Sequence, residues 1–175
     1  MRKIISFIIG CLIGGILGTI QIQAWAAEPI GYSDFVEIDN PEEYLKHKGV
    51  DVPIEVKNIC EEYGEQYNIC PELLEAICWK ESRFFGDVQN KNFIGIMQVN
   101  AKVHKGRMKR LGVNDLRDID GNIHTGADYL STLMQMNGNL TESLNEYGGH
   151  KTGRQTKYTS EILKIASALE AIGGD

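Results

Sequence analysis

A chain of 175 residues has room for one ordinary domain and little more. It carries 24 acidic against 18 basic side chains, a formal charge of −6. That balance lacks the positive field from which nucleic-acid binders draw affinity, and the class is set aside.

Arg2 and Lys3 precede an apolar, glycine-interrupted run from Ile4 to Ile20, and Ala24-Trp25-Ala26 follows shortly after. Charge, apolar run and an A-x-A site, in that order, predict a secretory signal peptide over residues 1–26. The run also sits at the lower limit for a membrane span, so an uncleaved N-terminal anchor, with its membrane association, is the alternative. Either way the rest of the chain is expected to work outside the cytoplasm, as an extracellular, periplasmic or wall-associated monomer. Without Arg2 and Lys3 its formal charge falls from −6 to −8.

Residues 27–52 are acidic, carry Pro29 and Pro41, and show no sustained apolar period. They read as a lead segment rather than a domain. From 53 to 175 the helical period takes over. Ile54, Val56, Ile59, Cys60 and Tyr63 recur at helical spacing, and Gly64 predicts a weakened end. Pro71 suits a first helical position, with Glu72 beside the positive end of the dipole. Leu73, Leu74, Ile77 and Cys78 then form an apolar stripe that runs to Ser82. Gly86 to Asn92 is loop-like, and Phe93 to Val99 is too short and glycine-broken for a helix.

In the segment beyond, Lys102, Lys105, Arg107, Lys109 and Arg110 read as a solvated helix face that balances an acidic protein, with contact to anionic wall polymers or peptide-stem carboxylates as the alternative. A long amphipathic helix is predicted from about Ile119 to Met136, ended by Gly138. Leu140 to Tyr147 is a shorter helical piece, Gly148-Gly149 a break, and Thr156 to Ile172 a last helix. No alternating strand pattern of useful length appears, and no internal repeat. These elements predict a mainly α domain with one irregular, cleft-forming segment.

Beyond the leader stand Cys60, Cys70 and Cys78, which permit at most one intrachain disulfide. Cys60 and Cys70 flank a helix-to-helix connection and are the expected pair; Cys78 lies on an apolar helix face. No histidine or CxxC knuckle accompanies them, so no metal site is expected, nor any organic cofactor.

Glu81 is the anomaly of the pattern. It falls seven residues after Leu74, four after Ile77 and three after Cys78, which places a carboxylate on the apolar stripe. Burial disfavours the charged form, and a raised pKa is what a general acid needs near neutral pH. The same position also suits a buried glutamate paired with Lys80 or Arg83, or a helix end emerging into water.

Glu81-Ser82-Arg83-Phe84 followed by Gly95-Ile96-Met97-Gln98-Val99-Asn100 resembles the catalytic domain of soluble lytic transglycosylases and their goose-type lysozyme relatives. Cys60-Glu61-Glu62-Tyr63-Gly64 and the run from Ile69 to Ile77 resemble that family's lead into its glutamate. Asn122-Ile123, Gly126 to Leu130, Leu144 to Gly148, and Tyr158 with Ile162-Leu163 extend the likeness over about residues 54–172. It implies a lysozyme-like helical fold with a substrate cleft. Glu81 would be the sole catalytic acid and base, and Ser82 would bind the sugar or orient the glutamate. Gly95, Ile96, Met97 and Gln98 would line the cleft, with Gly95 admitting the glycan close to backbone. Tyr147 would direct its hydroxyl at Glu81. Gly148 departs from the pattern by replacing the usual Asn, a loss for which Asn145 or Asn100 would compensate.

The implied activity is cleavage of peptidoglycan strands between N-acetylmuramic acid and N-acetylglucosamine, leaving 1,6-anhydro ends. Glycosidases generally employ two carboxyls, and here motif places only one; Asp87 is the nearest acid downstream. A hydrolytic muramidase using a second acid is the nearest rival, and a wall-binding or assembly module without turnover is the rival from another class.

Overall fold

The computed structural model describes residues 29–173; the leader expected over residues 1–26 lies outside them. Seven helices and one small sheet follow in chain order after a 3-10 turn at Tyr32–Asp34: α1 (Pro41–Lys48), α2 (Ile54–Tyr67), α3 (Pro71–Ser82), β1 (Gln89–Asn90), β2 (Phe93–Ile94), β3 (Val99–Asn100), α4 (Lys105–Leu111), α5 (Ile119–Asn137), α6 (Leu140–Tyr147) and α7 (Lys157–Gly173). The mainly α architecture is as the periodicity predicts. Among the described residues no helix is long and apolar enough to cross a membrane.

Helix α3 is the axis of the packing. Leu73, Leu74, Ala76, Ile77 and Cys78 on it are completely buried, between α7 on one side and α2 on another. The stripe read from sequence therefore widens to nearly the whole helix. Helix α5 packs on α2 and α6, and closes the core through Ile123, Ala127 and Leu130.

Where the sequence shows an irregular segment, the chain forms a three-stranded antiparallel sheet in the order β1-β2-β3, with Asn90 opposite Phe93 and Ile94 opposite Val99. Each strand is two residues long. That length is too short for an alternating pattern to register.

Two further elements differ from expectation. Helix α2 does not end at Gly64 but runs on to Tyr67, closed by left-handed Asn68 (φ 53°). Gly64 is needed inside it, because a Cβ there would lie 2.8 Å from the Ile69 carbonyl and 3.1 Å from the Pro71 ring. The lead segment also carries a helix, which its lack of a sustained apolar period does not predict. Its α1 starts on Asn40, whose side chain accepts from the Glu43 amide at 3.3 Å, and ends on left-handed Gly49. It buries Leu45 and lies against α7. Ile30 pairs with Ile69 as an isolated parallel bridge.

The expected Cys60–Cys70 bond is not formed: all three cysteines are free thiols. Cys60 hydrogen-bonds Cys78 across the α2–α3 interface instead. Cys70 packs under Gly31, where even a Cβ would come within 2.6 Å of its Sγ. The basic segment is likewise only partly a solvated face. Arg110 places Nη2 at 2.8 Å from Asp128, Arg107 pairs with the same buried carboxylate, and α4 is thereby clamped to α5.

Candidate active site

Glu81 stands one residue before the end of α3, on the side that meets α7. Two successive left-handed residues, Arg83 (φ 56°) and Phe84 (φ 67°), turn the chain away just beyond it. Neither is glycine, so each conformation costs roughly 1 kcal/mol and has to be held. Trp79 holds the first. Its carbonyl accepts the Arg83 amide at 2.9 Å and Arg83 Nη1 at 3.1 Å, and the guanidinium lies 3.4 Å from its ring centroid. Its indole N–H donates in turn to the Gly49 carbonyl at 3.3 Å, fixing the end of α3 to the end of α1.

The Glu81 side chain is half-buried, and the Tyr158 hydroxyl from the first turn of α7 donates to its Oε1. Burial pushes the carboxyl above its ordinary value; the Tyr158 hydrogen bond and the Lys80 ammonium pull it down without overcoming that push. The hydroxyls of Tyr147 and Tyr158 are held well above the usual phenol range by burial first and by the Glu81 charge second. Both therefore stay protonated and can donate at neutral pH.

The expectation for Tyr147 is corrected. Its hydroxyl donates to the Met97 carbonyl at 3.1 Å rather than to Glu81. Gly126 permits this approach, since a Cβ there would sit 2.5 Å from Met97 Sδ and 3.0 Å from the Tyr147 hydroxyl. The place beside Glu81 belongs to Tyr158, which the resemblance sets in the last helix without giving it a role. Gly148 makes that place. A Cβ on Gly148 would lie 2.7 Å from Tyr158 Cε1 and 3.0 Å from Cζ, so glycine at 148 and tyrosine at 158 form one steric unit. A glycine in place of a family asparagine, with a free aromatic ten residues on, is the signal that could have found it.

Other residues selected from sequence build the floor rather than face a ligand. Ser82 is buried, and its hydroxyl bridges the carbonyls of Cys78 (3.1 Å) and Ile96 (2.8 Å), pinning the turn at Gly95 to α3. Ile96 and Met97 are completely buried, so their side chains are core, and their carbonyls accept from the Ser82 and Tyr147 hydroxyls. Gly95 (φ 81°) is close to backbone and amide of this chain, not to open space. A Cβ there would come 2.1 Å from Asn122 Nδ2 and 2.2 Å from the Leu116 carbonyl. Gln98 holds left-handed backbone (φ 47°), and its Nε2 donates to the carbonyls of Gly95 at 2.9 Å and Val88 at 3.1 Å.

Both asparagines offered as compensation are engaged in ordering the chain. Asn100 accepts the Lys102 and Val103 amides, both at 3.2 Å, and leads the chain into α4. Asn145 is 1% exposed, gives its amide to the Thr152 and Arg154 carbonyls, and accepts from Thr156 and Thr159. It orders the loop that delivers Tyr158. Asn122, which the resemblance places on the long helix, receives no role at the site from sequence. Fully buried on α5, it accepts the Met97 amide at 2.8 Å and donates to Ile94 (2.8 Å) and Leu116 (2.6 Å). It locks the turn against α5.

The arrangement presents one protonatable carboxyl at a rigid helix end, with a phenol ready to stabilise the ionised form. It can deliver a proton to a ligand oxygen and take one back from a ligand hydroxyl.

Comparisons with known proteins give the family. A family model described as the transglycosylase SLT domain matches residues 58–166, from α2 into α7. An X polypeptide of Escherichia coli is 34% identical, over 63% of this chain and 73% of its own length. One of strain K12 is 33% identical over the same shares. Protein IpgF of Shigella flexneri is 33% identical, over 61% of this chain and 72% of its own.

Proposed function

The chain belongs to the transglycosylase SLT domain family, and from that premise we propose that it cuts peptidoglycan strands with Glu81 as its one acid and base. The observation that carries the reading is the half-buried Glu81 carboxyl, raised by burial and met by the Tyr158 hydroxyl.

In the first step, protonated Glu81 gives its proton to the oxygen between N-acetylmuramic acid and N-acetylglucosamine. The bond to the muramyl C1 breaks, and the substrate's own N-acetyl oxygen stabilises the positive charge that develops there. Glu81 is now ionised, and the Tyr158 hydrogen bond, which favours the carboxylate, stabilises it in this interval. It then takes the proton of the muramyl C6 hydroxyl as that oxygen closes on C1, giving a 1,6-anhydro ring. Water is not consumed.

Among the described residues the groups that act on the Glu81 carboxyl are Tyr158 and Lys80, neither of them a carboxyl, and this favours the course above over hydrolysis. Asp87, the second carboxyl a hydrolytic route would recruit, is exposed in the loop after α3. The family setting implies work at the cell wall, and export ahead of it is part of the same proposal. Digestion of purified peptidoglycan with product masses tests it: muropeptide ends lighter by one water than reducing ends are expected. Reducing ends throughout would replace this reaction with hydrolysis.

A further inference from the structure

Beside the Glu81 end of α3, between α1 and α7, lies a hollow of about 530 Å³. Lys157, Ser160, Glu161 and Lys164 line it from α7, at the spacing of one helix face, and Lys48 lines it from α1. Its charge is opposite to that of the chain. Glu161 is the only carboxylate in its lining, and Lys48 (2.6 Å) and Lys80 from behind both pair with it, holding it ionised down to about 2. Among the described residues no carboxylate pairs with Lys157 or Lys164. Four ammonium groups thus surround one satisfied carboxylate, in a protein of formal charge −6. Gln155 and Ser160 add neutral hydrogen-bonding groups at the rim.

The position of the hollow is as specific as its charge. Lys157 precedes Tyr158, the partner of Glu81, and Lys80 precedes Glu81 itself. One wall comes from α1, which lies outside residues 58–166, so the hollow is a feature of this chain beyond the matched domain. Resting on the peptidoglycan reading above, we propose that it receives the free carboxylates of the peptide stem that muramyl residues carry, seating the stem next to the bond that Glu81 cleaves. A phosphate-bearing wall polymer offers similar anions, but it is not tied to the scissile sugar, and adjacency to Glu81 favours the stem.

The test uses the Glu81→Gln chain, so that ligand stays intact, and three probes followed by NMR titration: a disaccharide-tetrapeptide, the same disaccharide stripped of its peptide, and a short glycerol-phosphate polymer. The stem-bearing sugar is expected to shift the amides of Gln155, Ser160 and Lys164. Its affinity should fall at least fivefold when the peptide is removed or when Lys157→Glu and Lys164→Glu are combined. Both lysines are exposed, so that pair leaves the core intact. Equal affinity for the two sugars, or shifts with the phosphate polymer alone, would overturn the proposal. Glycan release by the unmodified chain is read separately, and its failure would remove the cleavage reading without touching the binding result.

Discussion

Glu75 and Glu81 lie six residues apart on α3, and burial holds both above the ordinary carboxylate value, yet their surroundings differ. Glu75 is 4% exposed and is pushed up to about 7, by burial first and the Glu72 charge second, with only Lys57 opposing. Among the described residues no hydroxyl acts on it as Tyr158 does on Glu81. Glu81 is less buried, sits at the helix end, and meets a phenol delivered by another helix. A raised carboxyl value therefore marks withdrawal from water, and chemistry additionally needs a donor aimed at the group and room for a ligand.

The widest separation between the two should appear in activity. Glu81→Gln is expected to lose about 1,000-fold or more in glycan release with its melting curve preserved, while Glu75→Gln stays within about twofold. Equal losses in both would erase the distinction. Tyr158→Phe should lower the rate by about 30-fold and leave a signature in pH. The lost hydrogen bond favours ionised Glu81, so removing it raises that pKa, and the basic limb of the rate profile moves to higher pH. A slower enzyme with an unmoved limb would reduce Tyr158 to a packing role.

Stability should invert the ranking. The Glu75 carboxyl titrates near 7 when folded and near its ordinary 4.5 when unfolded. Its favourable contribution is thus present below the lower value and lost as pH rises through the upper one. Glu75→Gln should gain about 2 kcal/mol above pH 8 and almost nothing below about pH 4, measured by urea unfolding. Glu161 runs the other way, its value lowered to about 2 chiefly by hydrogen bonds from Lys48 and Lys80. Its contribution is present above 4.5 and lost as pH falls through 2. Glu161→Gln should cost about 1 kcal/mol at pH 7 and progressively less toward pH 2, by the same assay.

The helices were legible because each carries an apolar stripe and most carry a stop: α6 was read to its end residues, and α5 nearly so. Glu81 was legible because a carboxylate interrupted such a stripe. The rest of the site was not, because it depends on contacts between distant segments. Asn122 looks like any polar residue in a helix until Met97, Ile94 and Leu116 converge on it. Tyr158 shares the helical period of α7, and only the missing side chain at Gly148 reveals what its ring does. The residues of the turn enter as ligand contacts through the family resemblance, which rests on their distinctive chemistry. Their distinctiveness serves the left-handed backbone and buried hydrogen bonds that shape the turn. The helix α1 was missed because its signals, Asn40, Pro41 and Gly49, are caps without a long stripe between them.

The central claim is that burial holds the Glu81 carboxyl above its ordinary value against the pull of Tyr158 and Lys80. Carboxyl-selective carbon NMR of the free protein, with Glu81 assigned by the Glu81→Gln spectrum, measures this directly. A Glu81 midpoint above 4.5, moving higher in Tyr158→Phe, is the predicted result. A midpoint at or below that value, unchanged when the phenol is removed, would contradict the account.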